Sequence, residues 1–209
     1  MAGTIVVGIS GASGAAYAHR VVELLVAADA GVHLVVSPLG QRLLHDELGM
    51  EGVDLDALAG RTDHRITLHH YRDVGASIAS GSFKHDGMVI VPCSNNTLSA
   101  VATGRSENLL HRAANVTLKE RRPLVLAHRE MPLGLVEIRN MAAAAEAGAI
   151  VCPANPGFYM LPETVGDLVD FVAGRLLDLL GVEHTLATRW AESRANRQAA
   201  DRDAGKGRG

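Results

Sequence analysis

Aromatic residues are scarce in this chain: Phe, Tyr and Trp make up 3% of its 209 residues. The core must therefore be built from close-packed Val, Leu, Ile and Ala rather than from stacked rings. Cysteine is nearly as rare. Two cysteines in a chain of this length make no disulfide framework, which fits a reducing cytoplasm. No apolar run reaches the roughly 18 residues of a membrane span. The chain opens directly into an apolar, strand-like run, so neither a membrane segment nor a cleaved leader is expected. Positive charge is not in excess either. A formal net charge of −3 excludes the broad basic surface that nucleic acid or an anionic membrane would need.

What is present is an alternation. Short β-branched runs at 4–9, 32–37, 66–70, 88–92, 124–127 and 149–152 predict strands. Between and after them, helical patterns cover 13–28, 41–48, 98–103, 108–118, 135–147 and 164–180. Strands that are apolar almost throughout and alternate with helices indicate an α/β fold whose mainly parallel sheet is covered on both faces. No repeat or linker splits the chain, so 1–190 reads as one domain. From about 191 the sequence turns polar, and 191–209 reads as a flexible tail.

Directly after the run Thr4-Ile5-Val6-Val7, glycines recur every third residue: Gly8, Gly11 and Gly14. A glycine-rich turn from a first strand into a first helix lets a ligand approach backbone N–H groups, and the helix N-terminus favours an anion. The spacing is neither the G-x-G-x-x-G dinucleotide fingerprint nor a Walker A loop. The same spacing also suits a tight turn with close helix–sheet packing, and the loop alone leaves the two readings level. Ser10 and Ser13 supply hydroxyls that can cap the helix or bond a ligand.

Ligands of open α/β sheets sit outside the carboxyl ends of the strands. Those predicted ends carry Ser37 and Pro38, then Cys93-Ser94-Asn95-Asn96-Thr97, then Arg129 and Glu130, then Asn155, Phe158 and Tyr159. Polar or special residues on so many ends of one edge predict a small-molecule site.

Taken together, these ends resemble a known family, the UbiX-type flavin prenyltransferases. The resemblance rests on "GISGASGAA" (8–16), "ASIASGSFKHDGMVIVPCS" (76–94), "ENLLHRAANVTLKERRPLVLAHREMPL" (107–133) and "PGFYMLPETVGDLVDFVAGRLLDLLG" (156–181), and it spans 4–190. It implies a three-layer flavodoxin-like, Rossmann-like fold. It also implies transfer of a dimethylallyl group from dimethylallyl phosphate to N5 and C6 of reduced FMN. The product, prenylated FMN, would serve a UbiD-type decarboxylase. No metal is implied, and the assembly would be a homododecamer with active sites between subunits.

Carried over residue by residue, the resemblance implies that Gly11, Ala12 and Ser13 line FMN, with the Ser13 hydroxyl near the reacting nitrogen. Ser37, Ser94, Asn95, Asn96, Thr97 and Arg129 would also hold FMN. Glu47 would sit near Ser13 and help move protons. Arg112, Lys119, Glu130, Tyr159 and Arg175 would surround the substrate phosphate, and Trp190 would close the prenyl pocket. Catalysis would fall to Ser13, Glu47, Lys119 and Glu130. Cations and a Tyr hydroxyl suit a phosphate that departs with growing charge. A carboxyl among them suits proton transfer, because closure at C6 expels a ring proton. An indole face suits an allylic cation. If the five groups form one compact cluster, a monophosphate donor is favoured over a diphosphate.

Read without the resemblance, several of these residues are plain. Lys119-Glu120-Arg121-Arg122 is a solvated helix end, Arg175 a surface residue, Glu47 a helix-surface acid and Trp190 tail packing. Cys93 and Cys152 read as buried thiols. His69-His70 lacks metal-ligand spacing. Two departures from the family stand out. Asn95-Asn96 occupies a segment where a lysine is common, and Pro38 removes a backbone donor. The Asn96-Thr97 pair is similar to the FMN-dependent decarboxylases of cysteine-containing peptides, with His69 or His70 as base. That group's Pro-x-Met-Asn motif is absent. A non-catalytic flavin carrier is the third reading.

Overall fold

Six strands form one parallel sheet in the computed structural model, which describes residues 3–186. In chain order the elements are β1 (Thr4–Ile9), α1 (Ala15–Ala27), β2 (Gly31–Val36), α2 (Pro38–Leu48), α3 (Leu55–Ala59), β3 (Ile66–His69), β4 (Gly87–Cys93), α4 (Asn95–Ala102), α5 (Leu109–Lys119), β5 (Leu124–His128), α6 (Leu135–Glu146), β6 (Ile150–Val151) and α7 (Val165–Leu180). Single 3₁₀ turns lie at Ser77–Ala79 and Phe158–Met160. Every strand of the sequence-based reading is present. The spatial order is β3-β2-β1-β4-β5-β6, the Rossmann arrangement of the doubly wound, three-layer α/β architecture.

The strands are apolar throughout because both faces are covered. On one face Ile5, Val7 and Ile9 of β1 pack with Val21 and Leu25 of α1, Leu44 of α2, Leu58 of α3 and Leu176 of α7. On the other, Val6, Met88, Ile90 and Leu126 meet Leu98 of α4, Leu109 and Leu110 of α5 and Ala144 of α6. Among the described residues, the largest fully buried side chains are Ile, Leu and Met, with no Phe, Tyr or Trp, in keeping with the composition. Helices change faces between β1 and β4, because the chain winds outward one way through β2 and β3 and the other way through β5 and β6. The crevice between β1 and β4 is therefore the topological switch point.

The differences from the sequence-based reading are local. Helix α2 starts at Pro38 rather than 41, because Ser37 caps it by accepting the Gly40 N–H at 2.9 Å and Pro38 takes the first turn. Helix α4 starts at Asn95 rather than 98, with Ser94 as its cap. The 93–97 segment is thus mostly a helix start rather than a loop. Helix α1 starts at Ala15 rather than 13, after Gly14 at φ 130°. The short α3 has no counterpart in that reading, since five residues are too few to show a helical period. β4 carries Pro92 because its ladder to β5 shifts register between Ile90 and Cys93. The expected domain limit at 190 and the tail 191–209 lie outside the described residues.

Candidate active site

The glycine loop has three glycines for three different reasons. A Cβ at Gly8 would press on Leu110 at 3.2 Å and Ile90 at 3.4 Å, so that glycine admits the core, not a ligand. A Cβ at Gly11 would meet the Leu39 Cβ at 2.4 Å, at the start of α2. Gly14 alone has a positive φ, 130°, and a Cβ there would also strike the Tyr17 ring at 2.8 Å. The close approaches at the first two glycines are thus made by the protein's own side chains.

The amino terminus of α1 already has its anion. Glu47, from the last turn of α2, accepts the N–H of Gly14 at 3.0 Å and that of Ala15 at 2.7 Å. The loop therefore does not reserve those donors for a phosphate, and of the two readings the loop alone left level, the close-packed turn describes these N–H groups. Glu47 thereby lies beside the 11–14 segment. Ser13, one residue earlier, is exposed.

Across the switch point, Ser10 ties β1 to β4. Its buried hydroxyl donates to the Pro92 carbonyl at 2.9 Å and accepts the Ser94 N–H at 2.9 Å. Ser94 then accepts from the Thr97 N–H at 3.4 Å and donates to the Thr97 hydroxyl at 3.2 Å. The first-turn N–H groups of α4, which a helix cannot pair internally, face this edge. The Arg129 N–H bonds the Cys93 carbonyl at 3.2 Å, which brings the end of β5 alongside. Burial raises the Tyr17 phenol, and the nearby Arg129 guanidinium partly offsets that rise. Glu130 follows, with Oε1 accepting the Met131 N–H at 3.0 Å and Oε2 accepting from the Asn95 amide at 2.7 Å.

Gly11, Ala12, Ser13, Ser37, Glu47, Ser94, Asn95, Asn96, Thr97, Arg129 and Glu130 therefore occupy the carboxyl edge of the sheet, around or beside the switch point. Tyr159 is at the same edge, after β6, its ring set edge-on to Phe171 at 5.6 Å. Arg112 lies in the first turn of α5, its Nε donating to the Ala79 carbonyl at 3.2 Å.

A single chain does not bring the whole phosphate set together. A helix that links two parallel strands must run back along the sheet. The last residue of α5, Lys119, is consequently about 15 Å along the helix axis from its first. Lys119 lies at the opposite edge, 3.8 Å from Glu120. Arg175 is equally far down α7, paired with Asp178 at 3.0 Å. Trp190 lies outside the described residues.

Two site features escaped the sequence-based reading. His128, buried at the end of β5, has Nε2 2.7 Å from the Asn95 Oδ1. A strand ended at 127 hid it, although a histidine between an apolar run and Arg129-Glu130 was a usable signal. Tyr17, one helical turn after Gly14, was the other. Burial pushes the Cys93 thiol far up, and burial also raises Cys152 against the opposing charge of Arg175. Both thiols are accordingly poor nucleophiles. His69 is half-buried and bonded to His33 at 2.8 Å, and His70 accepts the Arg72 N–H at 3.3 Å.

Around the carboxyl edge, Leu39, Met131, Leu135, Val136, Phe158 and Val165 are exposed, Met131 by 83% and Val165 by 75%. These exposed apolar side chains form a rim of that edge.

Known proteins resemble the chain over nearly its whole length. The flavoprotein family model matches residues 2–177. The flavin prenyltransferase UbiX of Halalkalibacterium halodurans is 46% identical over 198 residues, covering 93% of this chain and 96% of that protein. The crystal structure of AnUbiX (PadA1) in complex with FMN and dimethylallyl pyrophosphate is 38% identical, with a TM-score of 0.80, covering 86% of this chain and 93% of that one. The dodecameric FMN-dependent UbiX-like decarboxylase of Escherichia coli O157:H7 is also 38% identical at a TM-score of 0.80, covering 90% and 98%. By sequence and by fold, then, this chain belongs to the flavoprotein family and, within it, to the UbiX-type flavin prenyltransferases.

Proposed function

We propose that the protein is a transferase that moves a dimethylallyl group from dimethylallyl phosphate to N5 and C6 of reduced FMN. The carrying observation is the convergence at the switch point of the glycine loop, the open first turn of α4 and the Arg129–Glu130 pair, in a chain of this family. Reduced FMN supplies the nucleophilic atoms and is a substrate here, leaving as prenylated FMN.

The residues fit that substrate. Gly11, Ala12 and Ser13 form one wall, and Glu47 holds the loop rigid by capping α1. Ser37, Ser94, Asn95, Asn96, Thr97 and Arg129 offer hydroxyl, amide, N–H and guanidinium groups to the polar parts of FMN. Asn96 stands where a lysine is common, so this chain holds FMN with one fixed charge fewer in that segment.

Around the donor, Glu130 exchanges a proton with the departing phosphate or takes one as the second bond closes. Tyr159 and Arg112 lie at the same edge. Lys119 and Arg175, at the far end of their helices, act on the phosphate from neighbouring copies, where fixed positive charge stabilises the leaving group. Trp190 closes the prenyl pocket. Ser13 assists at the reacting nitrogen. The apolar rim brings the copies together, in a homo-oligomer that the family resemblance makes a dodecamer. Because the set is split over the chain, the case for a monophosphate from one compact cluster does not hold for the single subunit, and both donors belong in the assay. A UbiD-type decarboxylase receives the product, in the cytoplasm.

The test is anaerobic incubation of the protein with reduced FMN and, in parallel, dimethylallyl phosphate or dimethylallyl diphosphate, then mass spectrometry of the extracted flavin. A flavin heavier by one five-carbon unit is expected. Glu130→Gln should keep FMN binding and slow turnover by about 10²-fold or more. Unmodified FMN on a loaded protein would favour a carrier, and unchanged turnover in the variant would remove the proton role of Glu130. The peptide decarboxylase has only the Asn96-Thr97 pair in its favour: its candidate bases, His69 and His70, lie at the end of the edge strand β3, two strands away from β1 and the switch point.

A further inference from the structure

Glu130 is a long, exposed side chain, yet both of its carboxylate oxygens are engaged. The bond from Asn95 depends in turn on a residue behind it. A carboxylate only accepts hydrogen bonds, so the Asn95 group that faces it must be the amide Nδ2. The Asn95 Oδ1 then points the other way, to His128 Nε2 at 2.7 Å. An amide oxygen only accepts, so His128 must carry a proton on Nε2. The opposite amide orientation would set Oδ1 against the carboxylate oxygen. The three side chains therefore admit one arrangement: His128 Nε2–H to Asn95 Oδ1, and Asn95 Nδ2–H to Glu130 Oε2.

We propose that His128 is a positioning residue for Glu130: buried under the carboxyl edge, it sets the direction of the Asn95 amide and so holds the Glu130 carboxyl in one place for proton transfer. This rests on the reading of Glu130 given above. His128 can do this because it does not move. It is 2% exposed, ends a strand that is buried throughout, and is in register with Cys93 of β4. Asn95 is fixed by its place as the first residue of α4. Without the histidine donor the amide is free to turn, and a carboxyl on an exposed chain then samples many rotamers. Burial lowers the His128 imidazole more than Glu130 and Glu137 raise it, so the neutral ring is the form present at neutral pH. Protonation would leave the Nε2–H in place.

Two variants separate positioning from packing. Gln places an amide N–H near where the imidazole carries Nε2–H, while Leu fills the space without a donor. His128→Leu should lower kcat about tenfold to a hundredfold, as for a misplaced reacting group, with KM for the donor and FMN affinity little changed. His128→Gln should recover most of that loss. Crystal structures give a readout that does not depend on turnover: the Glu130 carboxyl should leave Asn95 in the Leu variant and stay on it in the Gln variant. Unchanged kcat in His128→Leu, an equal loss in both variants, or a Glu130–Asn95 bond that persists in His128→Leu would each overturn the proposal. Glu130→Gln run alongside keeps the two readings apart. If it turns over normally, the proton role of Glu130 fails, while the crystal structures still decide what holds the carboxyl.

Discussion

Removing Glu47 should loosen the start of α1 by a predictable amount. In Glu47→Ala the N–H groups of Gly14 and Ala15 lose their acceptor, and the helix loses the anion at its positive end. A hydrogen bond to a charged group contributes about 1.5–3 kcal/mol when shielded, and an exposed anion at a helix N-terminus about 0.3–1 kcal/mol. Glu47 is exposed, so water replaces part of both contributions. The net loss should be about 1–2 kcal/mol. For a chain of this size that lowers Tm by about 3–6 °C. Glu47→Gln keeps one oxygen acceptor and loses the charge, so it should fall about midway. Urea titration of the FMN-free protein reads the effect directly. Because the cap also fixes the loop beside FMN, flavin affinity should fall together with stability, and by less in the Gln variant. A Glu47→Ala midpoint equal to that of the parent would refute the capping account. A Gln variant with parental stability and lost turnover would instead assign Glu47 to proton movement.

Gly14→Ala should cost about 1–3 kcal/mol, because an L side chain is strained at φ 130° and its Cβ would lie 2.8 Å from the Tyr17 ring. Full stability in thermal melts would show that the loop relaxes freely. Acid should destabilise the protein below about pH 6.5, because burial lowers His33, His69, His85, His111 and His128 from their ordinary 6.5. In that window the unfolded chain binds more protons than the folded one. The stability from neutral imidazoles is therefore complete above 6.5 and lost as pH falls through the lowered folded values. Equal urea midpoints at about pH 7.5 and 5.5 would contradict this, and His33→Asn should flatten the slope. Gly11→Val should act through Leu39, whose Cβ is 2.4 Å from the added one, shifting the loop and reducing FMN occupancy. Full occupancy would count against FMN at this loop.

Much of the fold was legible because the signals are local. A strand such as Thr4–Ile9, apolar on both faces and followed by glycines and a helix, leaves few alternatives to a covered parallel sheet. Residues at strand ends could likewise be placed on one edge, since all strands of a parallel sheet end on the same side. Helix starts were less legible. Ser94 and Ser37 act as caps only once their neighbours turn helical, so the segments after β2 and β4 read as loops. Glu47 as a cap could not be read at all, because its partners, Gly14 and Ala15, are more than 30 residues away.

The order of residues along the chain sets which groups exist and in what order they meet the carboxyl edge. Hydrophobic period and turn chemistry act over a few residues, and they are enough for that. Which group faces which follows from the packing of distant segments. It gave the α1 terminus to Glu47, filled the space beside Gly8 and Gly11 with Leu110 and Leu39, and set His128 behind Asn95 and Glu130. It also carried Lys119 away from Glu130, since a helix returning between parallel strands must end at the opposite edge, and Arg175 with it, because α7 runs down to pack Leu180 beside Gly87 at the start of β4. These are contacts across the sheet order, fixed by packing and hydrogen bonding between distant segments, and no local spacing encodes them.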